Sequence, residues 1–312
     1  MIDLSGRRYL VTGVLTSDSI AWHLARALQS AGADVLLTGY GRSLRITELA
    51  ASQLPAPAEV LALDVQRPQD FPALAEAVAE RWPALDGVVH AVAGAPPAAI
   101  GGGFLTASAT DAEGALRTSA LSLHALTTAL APLLERGATP GSIVGIDFDG
   151  TRAWPGYDWM GVAKAALESV CRYLALYLGP TGIRVNLVAT GPVETVSGRG
   201  VSTFDALDRR WREEAPLGWD STTAATEVVT GPVLFLLSDL ARGVTGEVLH
   251  ADGGMRCVGM GAAPADGVSA PQAAPADGAP APQAAWADRA PALQAATESG
   301  TPSTPAPERE AP

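Results

Sequence analysis

Residues 8–251 predict one doubly wound α/β domain, a mostly parallel sheet with helices on both faces. Two observations carry this. Short apolar, β-branched runs at 9–12, 35–38, 60–63, 87–90, 142–146, 184–188 and 247–250 alternate with helical patterns at 20–31, 43–53, 71–82, 109–134, 157–178 and 224–238. Such runs suit strands buried on both faces, and the intervening stretches are long enough to cross over as helices. The composition agrees, since 47% of the 312 residues are hydrophobic and only 17% are charged, a profile that supports a large core.

In a sheet of this kind ligands gather at the carboxyl ends of the strands, where strand order reverses. The first strand ends in Thr12-Gly13 and runs through VLTSD into Ser19-Ile20-Ala21, where the first helix opens. Gly13 permits a tight turn, and the free N–H groups and dipole of the helix start suit an anion. Ser19 can cap the helix and also reach a pyrophosphate. The motif G-x-G-x-x-G is absent, and an ordinary strand-to-helix turn with a serine cap has the same sequence.

After the second strand, Tyr40 can wall an adenine, but no acidic residue is placed to read a ribose 2′-hydroxyl. NAD is favoured, while Arg42 and Arg45 leave NADP open. Past the third strand, Asp64 can accept from an adenine amino group with Val65 packed on the ring, or simply form a turn. The fourth strand feeds Ala91-Val92-Ala93-Gly94, small residues that let backbone approach a flat ligand. His90 reads as a packed strand-end histidine, and His23, His124 and His250 lack a Ser or Cys partner in any nucleophile motif.

After the fifth strand comes DFDGTRAWPGYDWMGVAK, residues 147–164. On a helix, Tyr157 and Lys164 stand nearly two turns apart and can face one ligand, as an acid and its orienter. Two residues that merely share a helix surface have the same spacing. After the sixth strand, the Gly191-Pro192 turn fixes the backbone so that Val193 could meet a carboxamide and the Thr195 hydroxyl a phosphate.

Beyond about residue 261 the chain turns to Ala, Pro, Gly and Gln, with APADG at 263 and 274 and APQAA at 270 and 281. Such a segment cannot offset its ordering entropy, so 1–260 is expected to be the folded domain and 261–312 a disordered tail without chemistry. Trp286 and Leu293 read there as solvated passengers. A net charge of −12 repels nucleic acid and anionic membranes. The two cysteines, Cys171 and Cys257, form neither a disulfide framework nor a metal-ligand spacing. With no secretory h-region near the start and no long apolar span, a cytoplasmic protein is expected.

Thr12-Gly13 through Ala21, Asp64-Val65, residues 146–164, Gly191 to Thr195, APLGW at 215–219 and Asp252-Gly253-Gly254 together resemble the NADH-dependent enoyl-acyl carrier protein reductases of mycobacterial type. These form a divergent branch of the Rossmann-like short-chain dehydrogenase/reductase superfamily. The resemblance covers residues 2–256, and its most specific feature is tyrosine-x6-lysine. Ketone-reducing branches use tyrosine-x3-lysine, but the residue four before Lys164 is Met160, which points to C=C rather than C=O reduction.

The resemblance implies hydride delivery from NADH to the β-carbon of an enoyl thioester carried on acyl carrier protein or coenzyme A. Tyr157 would hydrogen-bond the enolate oxygen, Lys164 would hold the nicotinamide ribose, and Phe148 would form an aromatic wall. Cofactor contacts fall on Gly13, Ser19, Ile20, Tyr40, Asp64, Val65, Val92, Ala93, Lys164, Val193 and Thr195. Trp154, Pro155, Met160 and residues 196–211 would line the acyl pocket, with Glu194 solvated. Ala91 and Ala93 depart from the family's Ser and Gly. The stretch 197–207 is shorter and more polar than in long-chain mycobacterial enzymes, implying shorter acyl groups or a more open pocket. The helices at 109–134 and 157–178 would pair in a homodimer or homotetramer. A reductase of ketones, imines or other conjugated substrates, and a non-catalytic dinucleotide-binding scaffold with the tail as its contact element, are the alternatives.

Overall fold

The computed structural model describes residues 2–259 of the chain, so the expected disordered tail lies outside the described residues. The order of elements is β1 (Arg8–Thr12), α1 (Ile20–Ser30), β2 (Asp34–Gly39), α2 (Leu44–Ser52), β3 (Val60–Ala62), α3 (Asp70–Arg81) and β4 (Gly87–His90). There follow α4 (Ala109–Leu116), α5 (Ser122–Leu134), β5 (Ser142–Asp147), α6 (Asp158–Leu178), β6 (Arg184–Thr190), α7 (Val196–Arg199), α8 (Phe204–Glu214), α9 (Thr230–Leu237) and β7 (Val248–Ala251).

The strands form one sheet in the order β3-β2-β1-β4-β5-β6-β7. Every pairing is parallel. Alternate side chains divide the core, as a period of two demands. Tyr9, Val11 and Val35 face α1, α2 and α9, where Leu24, Leu28 and Val233 are buried. Leu10 and Leu36 face the opposite layer of α3, α5 and α6, with Leu74, Leu126 and Leu167. The chain crosses from one half of the sheet to the other between β3 and β4, so the switch point lies between β1 and β4.

Three helical expectations need correction. The stretch 109–134 is interrupted by a π-helical segment at Arg117–Leu121. There the Ser122 and Thr118 hydroxyls donate to the carbonyls of Thr118 (2.6 Å) and Gly114 (2.9 Å), which competes with the regular ladder and widens it. The stretch 224–238 begins as a π-helical segment, Ala225–Val229, just ahead of Pro232, which has no N–H to continue the ladder. Finally, α6 starts at Asp158, leaving Tyr157 as its N-cap instead of its first turn. Among the described residues no helix is long and apolar enough to cross a membrane.

Candidate active site

The carboxyl ends of β1, β4, β5 and β6 open onto one cleft of ≈ 430 Å³. Gly13, Ser19, Ile20, Ala91, Ala93, Val193 and Thr195 line it on one side, and Phe148, Tyr157, Met160 and Lys164 on another. Its apolar end is closed by Ile100, Val201, Phe204 and Leu207, the last two on α8.

The loop after β1 is built for close approach. Gly13 has φ +89°, and a Cβ placed there would lie 2.1 Å from the Ala91 carbonyl oxygen, so only glycine fits. Ser19 has the extended backbone of an N-cap, but its hydroxyl makes no cap bond. It accepts instead from the amides of Leu15 (3.1 Å) and Thr16 (3.0 Å), folding the loop back on itself. The hydroxyl proton of Ser19 is left to donate. Thr195 matches it from the other side, because its Oγ1 accepts from Gly198 N (2.9 Å) at the start of α7 and likewise keeps its proton. Two hydroxyl donors and the unpaired first amides of α1 therefore face the same cleft, a donor set that fits a pyrophosphate.

The opposite wall is aromatic and cationic. Tyr157 is held by a turn, its N–H donating to Trp154 O (3.0 Å). Asp158, the one non-glycine with positive φ among the described residues (+46°), accepts from Gly102 N at 2.6 Å. That bond ties the turn to the loop that carries Ile100. Phe148 packs against Tyr157 with ring centroids 5.0 Å apart, backed by Trp154 and Trp211, each at 5.5 Å from Phe148. Burial, and then the charge of Asp147, push the Tyr157 phenol well above its ordinary range, so it stays a donor.

Lys164 Nζ donates to Ile146 O (2.8 Å) and lies 3.8 Å from Asp147 Oδ1. Burial lowers its pKa and Asp147 opposes that. Glu194 pairs with Arg199 at 2.9 Å on the rim.

The other expected contacts stand apart from this cleft. Tyr40, beyond β2, is 56% exposed. Asp64 and Val65 follow β3, and Asp64 Oδ1 accepts from Gln66 N at 2.9 Å in a turn. Val92 is not among the lining residues, and Trp154 lies behind Phe148 with its indole N–H on Asp149 O (2.8 Å). Sequence reasoning passed over Asp147, which the helical spacing of tyrosine and lysine had no reason to include. It also passed over Ser119, whose hydroxyl accepts from Gly94 N (3.0 Å) and holds the loop after β4.

The family model described as enoyl-(acyl carrier protein) reductase matches residues 13–256. The chain belongs to this family. It is 40% identical over 265 residues to an enoyl-[acyl-carrier-protein] reductase [NADH] of Mycolicibacterium smegmatis, a match covering 80% of this chain and 96% of that protein. A reductase of the same name from Mycobacterium avium is 39% identical over 264 residues, covering 80% and 96%. One from Bacillus cereus is 37% identical over 259 residues, covering 82% and 99%. In this enoyl reductase family member the matched stretch takes in every lining residue of the cleft.

Proposed function

We propose that this protein reduces the trans-2 double bond of an enoyl thioester carried on acyl carrier protein, with NADH as the reductant, in fatty acid or specialised-metabolite biosynthesis. Its relatives are named for that reaction and that cofactor. The observation that carries the reading is the placement of Tyr157 and Lys164 on one wall of the cleft, with apolar Met160 where ketone reductases carry their tyrosine.

When bound, NADH supplies the hydride to the β-carbon. Ser19 and Thr195 would hold its pyrophosphate, and Val193 the carboxamide. Lys164 would hold the nicotinamide ribose, with Gly13, Ile20 and Ala93 shaping the floor. Tyr40, Asp64 and Val65, together with Val92, are assigned to the adenosine end and its approach. Tyr157 donates to the thioester oxygen as negative charge develops there, stabilising the enolate in a site from which Phe148, backed by Trp154, excludes water. Met160, Phe204 and Leu207 offer an apolar berth for the acyl chain.

Residues 1–260 are assigned as the whole catalytic domain, acting in the cytoplasm as a homodimer or homotetramer. The test is NADH and NADPH oxidation against a chain-length series of trans-2-enoyl thioesters. Tyr157→Phe should lower kcat by about 100-fold or more while leaving NADH affinity within about 2-fold, the size of a lost oxyanion donor. Short to medium chains should turn over best, and a wild-type protein inert on every enoyl thioester sinks the reading.

A further inference from the structure

We propose that Asp147 is a positioning residue for the reduction, whose carboxylate keeps the Lys164 ammonium charged and held at the cleft and so governs the grip on the nicotinamide end of NADH. This rests on the NADH-dependent reading above. Asp147 ends β5, and its side chain is fully enclosed. Among the described residues, neither of its carboxyl oxygens has a hydrogen-bond partner of good geometry. Glu168, one helical turn past Lys164, shows the contrast, because its Oε1 accepts from Gly150 N at 3.0 Å. A buried carboxylate without hydrogen bonds is costly unless a cation offsets it, and Lys164 Nζ, at 3.8 Å, is that cation. At this separation the contact is between charges. Lys164 spends one N–H on Ile146 O and keeps the others for a ligand.

The groups that face the pair leave Lys164 as the one whose charge matters on the alkaline side. Burial pushes Asp147 up to about 7, with Lys164 and, more weakly, the Phe148 backbone N–H opposing and Glu168 and Asp149 adding to the rise, so it is ionised above neutral pH. His90, on β4, is pushed down to about 3 by burial and by Lys164, and is neutral. Tyr157 stays protonated, and burial holds the Cys171 thiol of α6 up at about 12. As pH rises, Lys164 is therefore the group about to lose a proton, and the Asp147 charge delays that loss.

The experiment measures NADH affinity by fluorescence from neutral pH upward through the alkaline limb, for wild type, Asp147→Asn, Lys164→Gln and the double variant. Asparagine keeps the shape and removes the charge. Affinity of Asp147→Asn should begin to fall at least about one pH unit earlier than that of wild type. Lys164→Gln should bind weakly with no such pH dependence, and adding Asp147→Asn to it should change affinity by less than about 2-fold. An alkaline limb that does not move, or an equal loss in both backgrounds, overturns the proposal. Melting curves check the fold, and Asp147→Ser takes the place of Asn if Asn does not fold. Wild type that binds no NADH at any pH overturns the cofactor reading and this inference with it, a result distinct from an unmoved limb.

Discussion

His90 and Asp147 end adjacent strands, and burial moves their acidities in opposite directions. His90 titrates near 3 when folded against 6.5 when free, so the unfolded chain takes the proton first. Its contribution to stability is present above about pH 6.5 and is lost as pH falls. Asp147 titrates near 7 when folded against 3.8, so its contribution is full below 3.8 and is lost as pH rises through 7. Between those limits the two slopes oppose, each approaching roughly 1.4 kcal/mol per pH unit. His90→Asn removes one of them. Thermal melts should show a deficit against wild type that is largest near pH 7.5 and shrinks towards pH 5, and a gap constant across that range contradicts the assignment. At this scale the sequence is partly legible. Tyr157 and Lys164 announce themselves by spacing, whereas the weight of Asp147 comes from hydrogen bonds that the fold does not give it, which no local pattern records.

At the scale of elements, strands and helices follow from periodicity because each buries a regular face, and the strand positions agree with the seven apolar runs to within a residue or two. The π-helical segment at Arg117–Leu121 was not legible, since hydroxyls bonding back to carbonyls displace the ladder without altering the apolar pattern. Neither was the start of α6, where the left-handed Asp158 separates Tyr157 from the helix while still presenting it to the cleft. The four-residue α7 is the element most dependent on one side chain. So short a helix has little stability of its own, and the Thr195 cap supplies much of it. The same hydroxyl has a proton to give a cofactor phosphate, so ligand binding and the order of α7 are coupled through it. Thr195→Val should weaken NADH binding by about 10-fold and speed proteolysis around residues 196–203, at a cost near 1 kcal/mol for the cap alone. Thr195→Ser should restore both, and a Val variant with unchanged affinity removes the coupling.

For the whole molecule, alternation of strands and helices foretells the parallel sheet and hence the end at which the cleft opens, but not what covers its outer helices. The inner face of α6 packs Leu167, Cys171 and Leu174 into the core, while Tyr173, Leu176 and Tyr177 on its outer side are 62%, 66% and 74% exposed. Three large apolar side chains at that spacing form a stripe that a water-facing helix has no reason to carry. A second copy of the chain is the occupant that the proposed homodimer or homotetramer would supply. Each chain carries −12, so association works against long-range repulsion that salt screens. Sedimentation should therefore give a dimer or tetramer whose dissociation constant falls as salt rises from about 0.05 to 0.5 M. Leu176→Glu with Tyr177→Glu should yield a monomer. The stripe begins more than two turns beyond Lys164, so that monomer should keep its fold and its NADH affinity within about 3-fold. A wild-type protein monomeric at every salt concentration would remove the stripe as an interface, and a charged variant that still associates would move the interface to another face.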